Sequence, residues 1–424
     1  MNSNLPRLAK EGSLLPAWDS QNKVFSTAFS ILEAAIAQHA FPAASIAVAH
    51  EGKLVALKSF GHFVYEKDSS VGAPFKPGVG LSGDFDVAVS PSTLFDLASV
   101  TKVVATTTMA MILYERNILE LDTPIIGIIP EFASDSGGQA DPRRRQVTFR
   151  MLLAHTSGLP AYEKLFLRAR TRDELLHAAF TSPLIADPGT RAEYSDIGFI
   201  ILGIALERIV REPLAIFGQR EIFGPLAMAH TMFNPPAELR PQTPPTADER
   251  NAFRNRIIQG EVQDENAFVL GGVAGHAGLF STAEDVARFA HAMLCGIALC
   301  GTPASDLSAA NWQPTLSKQE THLIFRPETI ALFTRRGSSP TGTSRALGWD
   351  TPSSPSQSGK YFGPRSFGHL GYTGTSLWID PDRQLSITVL TNRTWPDCSN
   401  QAIKQVRPAF HDAIIEALKI SVPT

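Results

Sequence analysis

Ser99 and Lys102 stand three residues apart at the head of an apolar run, Leu94-Phe95-Asp96-Leu97-Ala98-Ser99-Val100-Thr101-Lys102. On a helix that starts at Ser99, this spacing puts the hydroxyl and the ammonium one turn apart on the same face. The helix N-terminus adds unpaired N–H groups and a positive dipole end, which favour negative charge developing there. A serine hydroxyl needs such help, because it is a weak nucleophile at neutral pH. Residues 103–113 are apolar or small on nearly every side, so the helix is expected to be buried. A lysine on the first turn of a buried helix needs a partner or a task. A second Ser-x-x-Lys, Ser20-Gln21-Asn22-Lys23, lies in a polar stretch and reads as the start of a surface helix.

Two further groups follow in the chain. Of the six tyrosines, only Tyr194 has an Asp or Asn two residues on, in Tyr194-Ser195-Asp196. Asp187-Pro188-Gly189 makes a turn before it, and an apolar helix from Ile197 follows it. A phenol at a helix entrance can reach a neighbouring site, while Ser195 or Asp196 caps the helix. The third group is Gly368-His369-Leu370-Gly371-Tyr372-Thr373-Gly374, a glycine-punctuated strand. Glycines inside a strand often mark the close approach of a ligand or another backbone.

Taken together, the three groups resemble the serine β-lactamase and penicillin-binding-protein superfamily. They are most similar to its class C-like branch, with its carboxylesterases, D-aminopeptidases and peptidoglycan amidases. Met151-Leu152-Leu153-Ala154-His155-Thr156-Ser157-Gly158-Leu159-Pro160 looks like the Leu-Leu-x-His-Thr-Ser-Gly-Leu run of that branch. Gly275-His276-Ala277-Gly278-Leu279-Phe280-Ser281-Thr282 is similar to a run in cell-wall amidase-like members. The resemblance implies a serine hydrolase that cleaves a small ester or amide through an acyl group on Ser99. Lys102 and Tyr194 would share the proton work, in a division the sequence leaves open. The backbone N–H groups of Ser99 and Tyr372 would hold the oxyanion. Asp196, His369, Gly371 and His276 would line the substrate site. A true β-lactamase or D-Ala-D-Ala carboxypeptidase is the alternative within the class, and a non-catalytic penicillin-binding-like sensor the alternative outside it.

Two positions depart from the family pattern. His369 stands where Lys is common, and a histidine of ordinary pKa, about 6.5, is only partly charged at neutral pH. Asp196 stands where Asn is common, and a carboxylate cannot donate the amide hydrogen bond. Its charge could also hold Lys102 protonated. Both changes suit a substrate without a recognised carboxylate. His155, at a helix end, is expected to fix a turn.

The elements that must position these groups follow from pattern. Strands are expected at 43–50 and 54–59 around a Glu51-Gly52-Lys53 hairpin, and again over 367–391. Helices are expected at 24–38 and 403–418, and a Ser281-Thr282-Ala283-Glu284 capping box opens another. Between Ser99 and Ala274 the pattern is mostly helical. Strands at both ends and helices between predict an α+β fold with an antiparallel sheet lobe flanked by helices. That lobe would take residues 1–98 and 275–424, with 99–274 as an inserted, mostly helical lobe and the site in the cleft between them. The resemblance implies the same β-lactamase/transpeptidase-like arrangement.

Composition narrows the function classes. At 424 residues with a formal charge of −3, nothing points to nucleic acid or an anionic membrane as partner. No run reaches the ~18 apolar residues of a membrane-spanning helix. The three cysteines, Cys295, Cys300 and Cys398, have no metal spacing and suit a reducing compartment. No cofactor or metal is expected, and no Gly-x-Ser-x-Gly elbow is present. The start lacks the apolar core of a signal peptide, so the expected location is cytoplasmic, or periplasmic if a leader has been removed.

Overall fold

The computed structural model describes residues 14–65, 87–135, 137–298 and 325–419. Cys300 and most of the Gly/Pro/Ser-rich stretch 66–92 lie outside them. The first strands are β1 (Leu15–Pro16), β2 (Ala43–His50) and β3 (Lys53–Gly61). Near the C-terminus come β9 (Phe367–Leu370), β10 (Ser376–Asp380) and β11 (Leu385–Thr391). Together they form one six-stranded sheet in the order β1-β3-β2-β11-β10-β9. Both chain ends therefore build it, as the strand pattern predicts. It is antiparallel except at one edge, where the two-residue β1 runs parallel to β3. The β2–β3 turn carries positive φ at both Glu51 and Gly52, the backbone a tight hairpin requires.

Alternation along β2 sends its residues into two cores. Ala44, Ile46 and Val48 pack with α1 (Ser26–Ala37) and α8 (Ile403–Ala417) on one face. Ala43 and Ala47 pack on the other with Val286, Phe289 and Met293 of α7 (Ala283–Ala298). A strand covered on both faces reads as a nearly continuous apolar run. Each fully buried Ile, Val, Phe or Met side chain contributes roughly 1.5–3 kcal/mol. The second core is continuous with the helical segment, where it takes in Leu152, Phe199 and Ile201.

The helices that carry the site are α2 (Thr108–Glu115), α3 (Phe149–Leu153), α4 (Arg172–Phe180), α5 (Asp196–Val210) and α6 (Glu265–Val269). A small sheet sits beside them: β4 (Phe95–Asp96), β8 (Leu279–Ser281) and β5 (Met232–Phe233), with β8 central, and β6 (Ala247–Asp248) pairs separately with β7 (Ile257–Ile258). Two-residue strands leave no period to read in a sequence, and this sheet was not expected.

Two local expectations change. The chain does not enter a plain α-helix at Ser99. A 3₁₀ turn, Ala98–Val100, runs into a π-helical turn, Lys102–Thr107, before α2 begins. Thr108 Oγ1 donates to the Val103 carbonyl five residues back at 2.8 Å, a spacing that suits the wider turn. At α7 the cap is Thr282 rather than Ser281. Thr282 Oγ1 accepts from Asp285 N at 3.2 Å, whereas Ser281 Oγ lies 2.7 Å from Thr231 Oγ1 in the core.

Candidate active site

Ser99 is reached by two donors. Lys102 Nζ lies 3.0 Å and Tyr194 OH 2.8 Å from Ser99 Oγ. The three-residue spacing still brings Lys102 to Ser99, although the turn between them is not α-helical. Lys102 is fully buried and makes two more contacts, to Asp196 Oδ1 at 2.6 Å and to the His276 carbonyl at 3.0 Å. Its three N–H donors thus have three acceptors.

Local sequence explains why Tyr194 and Asp196 point there. Ser195 caps α5, with its Oγ accepting from Gly198 N at 2.9 Å and donating to the Pro160 carbonyl at 2.7 Å. Because Ser195 does the capping, the Asp196 carboxylate is left for Lys102. His155 sits at the C-terminus of α3 with φ of 57°, in the turn expected of it. Its Nδ1 accepts from Ser195 N at 3.0 Å, and its ring packs 4.8 Å from that of Tyr194. The Leu-Leu-x-His-Thr-Ser-Gly run therefore supports the tyrosine loop from behind.

The glycines of the 275–278 run serve packing. A Cβ on Gly275 would lie 2.1 Å from the Phe199 carbonyl, so only glycine lets this segment press against α5 and bring the His276 carbonyl to Lys102. The His276 ring, expected in the substrate site, is buried and turned to Asp264, with Nε2 2.8 Å from Oδ1. His276 reaches the site through its carbonyl. Gly371 likewise works by close approach: a Cβ there would lie 2.6 Å from the Leu97 carbonyl. Tyr372 follows on the same turn. Its ring is half exposed, and its carbonyl accepts from Arg393 Nε at 2.7 Å.

Electrostatics set the protonation states. Burial pushes Lys102 down, but the Asp196 carboxylate and then Tyr194 outweigh it, holding the ammonium above its usual range. Burial, then Asp196, pushes Tyr194 up to about 12, against the opposing pull of Lys102. At neutral pH the site therefore holds an ammonium and a neutral phenol. His369 differs from expectation. Burial, with Lys102 and Arg345 adding to it, holds its imidazole well below the usual range, so it is neutral and supplies no fixed charge. The Leu370 carbonyl lies 2.7 Å from Nδ1 and can only accept, so Nδ1 carries the proton and Nε2 is a buried acceptor.

A second cation beside Tyr194 comes from a residue no motif announces. Arg345 places its guanidinium 5.3 Å from the centre of the Tyr194 ring. Among the described residues its one charged partner is Asp350, at 3.6 Å, beyond hydrogen-bonding distance. It comes from the Ser/Pro/Gly loop 336–360, where pattern gives no register. Asp264, which belongs to no motif, caps α6 by accepting from Ala267 N at 2.7 Å and holds His276. Among the described residues no three His, Cys, Asp or Glu side chains are grouped as metal ligands. No helix among them is long and apolar enough to cross a membrane.

A serine flanked by a lysine and a tyrosine, beside a sheet built from both chain ends, defines the class. Residues 29–407 match the Beta-lactamase family, and the chain belongs to it. It is 29% identical over 376 residues to an N-acetylmuramyl-L-alanine amidase of Bacillus subtilis, covering 83% of this chain and 77% of that one. It is 30% identical over 329 residues to a putative D-alanyl-D-alanine carboxypeptidase of Escherichia coli, covering 72% and 70%. Among solved structures, EstCE1, a hydrolase with promiscuous acyltransferase activity, superposes with a TM-score of 0.66 at 18% identity, covering 93% of this chain and 99% of that one. The protein is a serine hydrolase of this family.

Proposed function

We propose that the protein cleaves an amide in a peptidoglycan-type peptide fragment through an acyl group on Ser99. The observation that carries this reading is the placement of Ser99 Oγ within hydrogen-bonding reach of both Lys102 and Tyr194. Lys102 first passes a proton to Asp196, 2.6 Å away, and the neutral amine so formed takes the proton of Ser99 as Oγ bonds to the carbonyl carbon. The carbonyl electron pair moves onto the oxygen, which the N–H groups of Ser99 and Tyr372 hold. Such a donor contributes about 2.7–4 kcal/mol to lowering the barrier. Tyr194, a neutral phenol, then protonates the departing amine as the C–N bond breaks. Water removes the acyl group by the reverse proton path.

The amide preference rests on the amidase and carboxypeptidase relatives and on Arg345. A guanidinium with unused donors suits a carboxylate on the leaving amine. This proposal departs from the expectation of a substrate without one, which rested on His369 and Asp196 and did not include Arg345. An odd count of three cysteines without metal spacing is compatible with a cytoplasmic site of action, which we propose as well.

A fluorophosphonate probe followed by peptide mass spectrometry tests the nucleophile. The adduct is expected on the Ser99 peptide and not on that of Ser20, which is exposed on the surface at the start of a short helix. An adduct elsewhere, or none, overturns the reading. Muropeptides compared with p-nitrophenyl esters then test the substrate class. For the leaving group, Arg345→Met is expected to lower kcat/KM about 10- to 100-fold on an acyl-amino acid, the loss of one charge-assisted pair. The carboxamide analogue of that substrate should change little. Equal losses on both would remove Arg345 from recognition.

A further inference from the structure

Asp96 lies three residues before Ser99 and has no place in the proton path, yet its carboxylate is almost wholly buried. It accepts two backbone hydrogen bonds. Oδ1 takes Ala98 N at 2.8 Å and Oδ2 takes Gln263 N at 2.6 Å. Ala98 carries a φ of 45°, in the left-handed region that an L-residue with a Cβ rarely holds, and it immediately precedes the nucleophile. A backbone held in such a conformation needs its surroundings to fix it, and the Asp96 carboxylate is the group bonded to it.

The same short strand ties in the other half of the site. Thr373 Oγ1 donates to the Asp96 carbonyl at 2.8 Å, and Thr375 Oγ1 to the Leu97 carbonyl at 2.9 Å. These bonds anchor the turn that carries Tyr372. The Gln263 bond anchors the segment leading to Asp264, which holds His276, whose carbonyl holds Lys102. One carboxylate therefore joins the turn of the nucleophile to the chain supporting its lysine.

We propose that Asp96 is a positioning residue whose ionised carboxylate clasps the Ala98–Ser99 turn, so that protonating it slackens the nucleophile and sets the acid limit of activity. This rests on the reading of Ser99 as nucleophile. Burial pushes the carboxyl up to about 6, against the two backbone hydrogen bonds. The charged groups facing it are Asp264, which raises it further, and Arg254, which lowers it. Arg254 is itself bound to Glu249 at 2.7 Å. Lys102 and Tyr194, both raised, titrate far above this window. An acid limb near pH 6 is therefore assigned to Asp96 rather than to Lys102 or Tyr194.

Two experiments test this. In the native protein, the rate of Ser99 labelling by a fluorophosphonate is followed from pH 4.5 to 8. The rate should fall on the acid side with a midpoint near 6, in step with the infrared band of a protonated buried carboxylic acid. In Asp96→Asn, the amide keeps one acceptor oxygen but turns an NH₂ toward the second backbone N–H. Its kcat should drop about 10- to 100-fold with KM within about twofold, and the limb near pH 6 should disappear, which a purely structural loss would not produce. Labelling that stays flat across the range overturns the proposal, as does a limb unmoved in a folded Asp96→Asn. If Ser99 takes no label at any pH, the nucleophile reading itself falls and this proposal with it.

Discussion

Replacing Ser99 by alanine is expected to reduce turnover by roughly 10⁶-fold, the scale seen when a serine nucleophile that works with its base as a unit is removed. Stability should barely move. Ser99 is only partly buried, and its Oγ serves as acceptor for Lys102 and Tyr194. Lys102 keeps Asp196 and the His276 carbonyl when that acceptor is gone, so the buried ammonium stays compensated. The check pairs a turnover assay on the best amide with thermal unfolding. A Ser99→Ala protein that retains a few per cent of native activity would show that another group makes the bond to carbon. Loss of activity together with a large fall in Tm would show instead that the residue holds the fold. Ser20→Ala is the companion measurement and should leave both readouts unchanged, because Ser20 makes no side-chain cap hydrogen bond to its short helix.

The part of this site that was legible from sequence is the part encoded in side-chain type at fixed spacing. Ser99 and Lys102 are neighbours in the chain, so nearly any helical turn brings them together. Tyr194 and Asp196 flank a serine cap, and the cap fixes where both point. A long, nearly continuous apolar run bounded by a turn signal, such as Ala43–His50, was readable to the residue. Contacts made by backbone atoms or delivered by irregular loops were not. The His276 carbonyl on Lys102 depends on a glycine approach to Phe199 that no side chain announces. Arg345 arrives from a loop whose course tertiary packing decides. Asp96 carries no signal in its own run, and its bond to Gln263 joins it to a residue 167 positions further along. His369 lies with its ring 6.1 Å from that of Tyr194 but is neutral rather than partly charged, because burial sets its protonation and burial is a property of the fold.

The Lys102–Asp196 pair carries the second large effect, and the two halves of the pair should respond in opposite ways. Lys102→Met removes the amine and leaves the Asp196 carboxylate, mostly buried, without its cation. Breaking a buried pair from one side typically costs about 3–5 kcal/mol, and Asp196, with its 15% exposure, belongs at the low end. Turnover should fall at least ~10²-fold, the lower end for a lost general base. Because the folded pKa of Lys102 is raised, its contribution to stability is fully present below the ordinary value of 10.5 and is lost as pH rises through the folded value. Lys102→Met should therefore flatten the alkaline end of the stability profile. Asp196→Asn acts differently. It takes away the carboxylate that most raises Lys102 while leaving an amide oxygen to accept its proton. The ammonium then loses its proton more readily, and the alkaline limb of kcat/KM that Lys102 sets, separate from the acid limb near pH 6, should move to lower pH. Its rate at high pH should fall, because Asn cannot receive the proton that Lys102 passes on in the attack step. The measurement is kcat/KM from pH 5 to 11 for both proteins on a neutral ester, which keeps substrate charge out of the comparison. A limb that stays in place in Asp196→Asn would take the role of base away from Lys102 and leave it with Tyr194, whose phenol already touches the nucleophile.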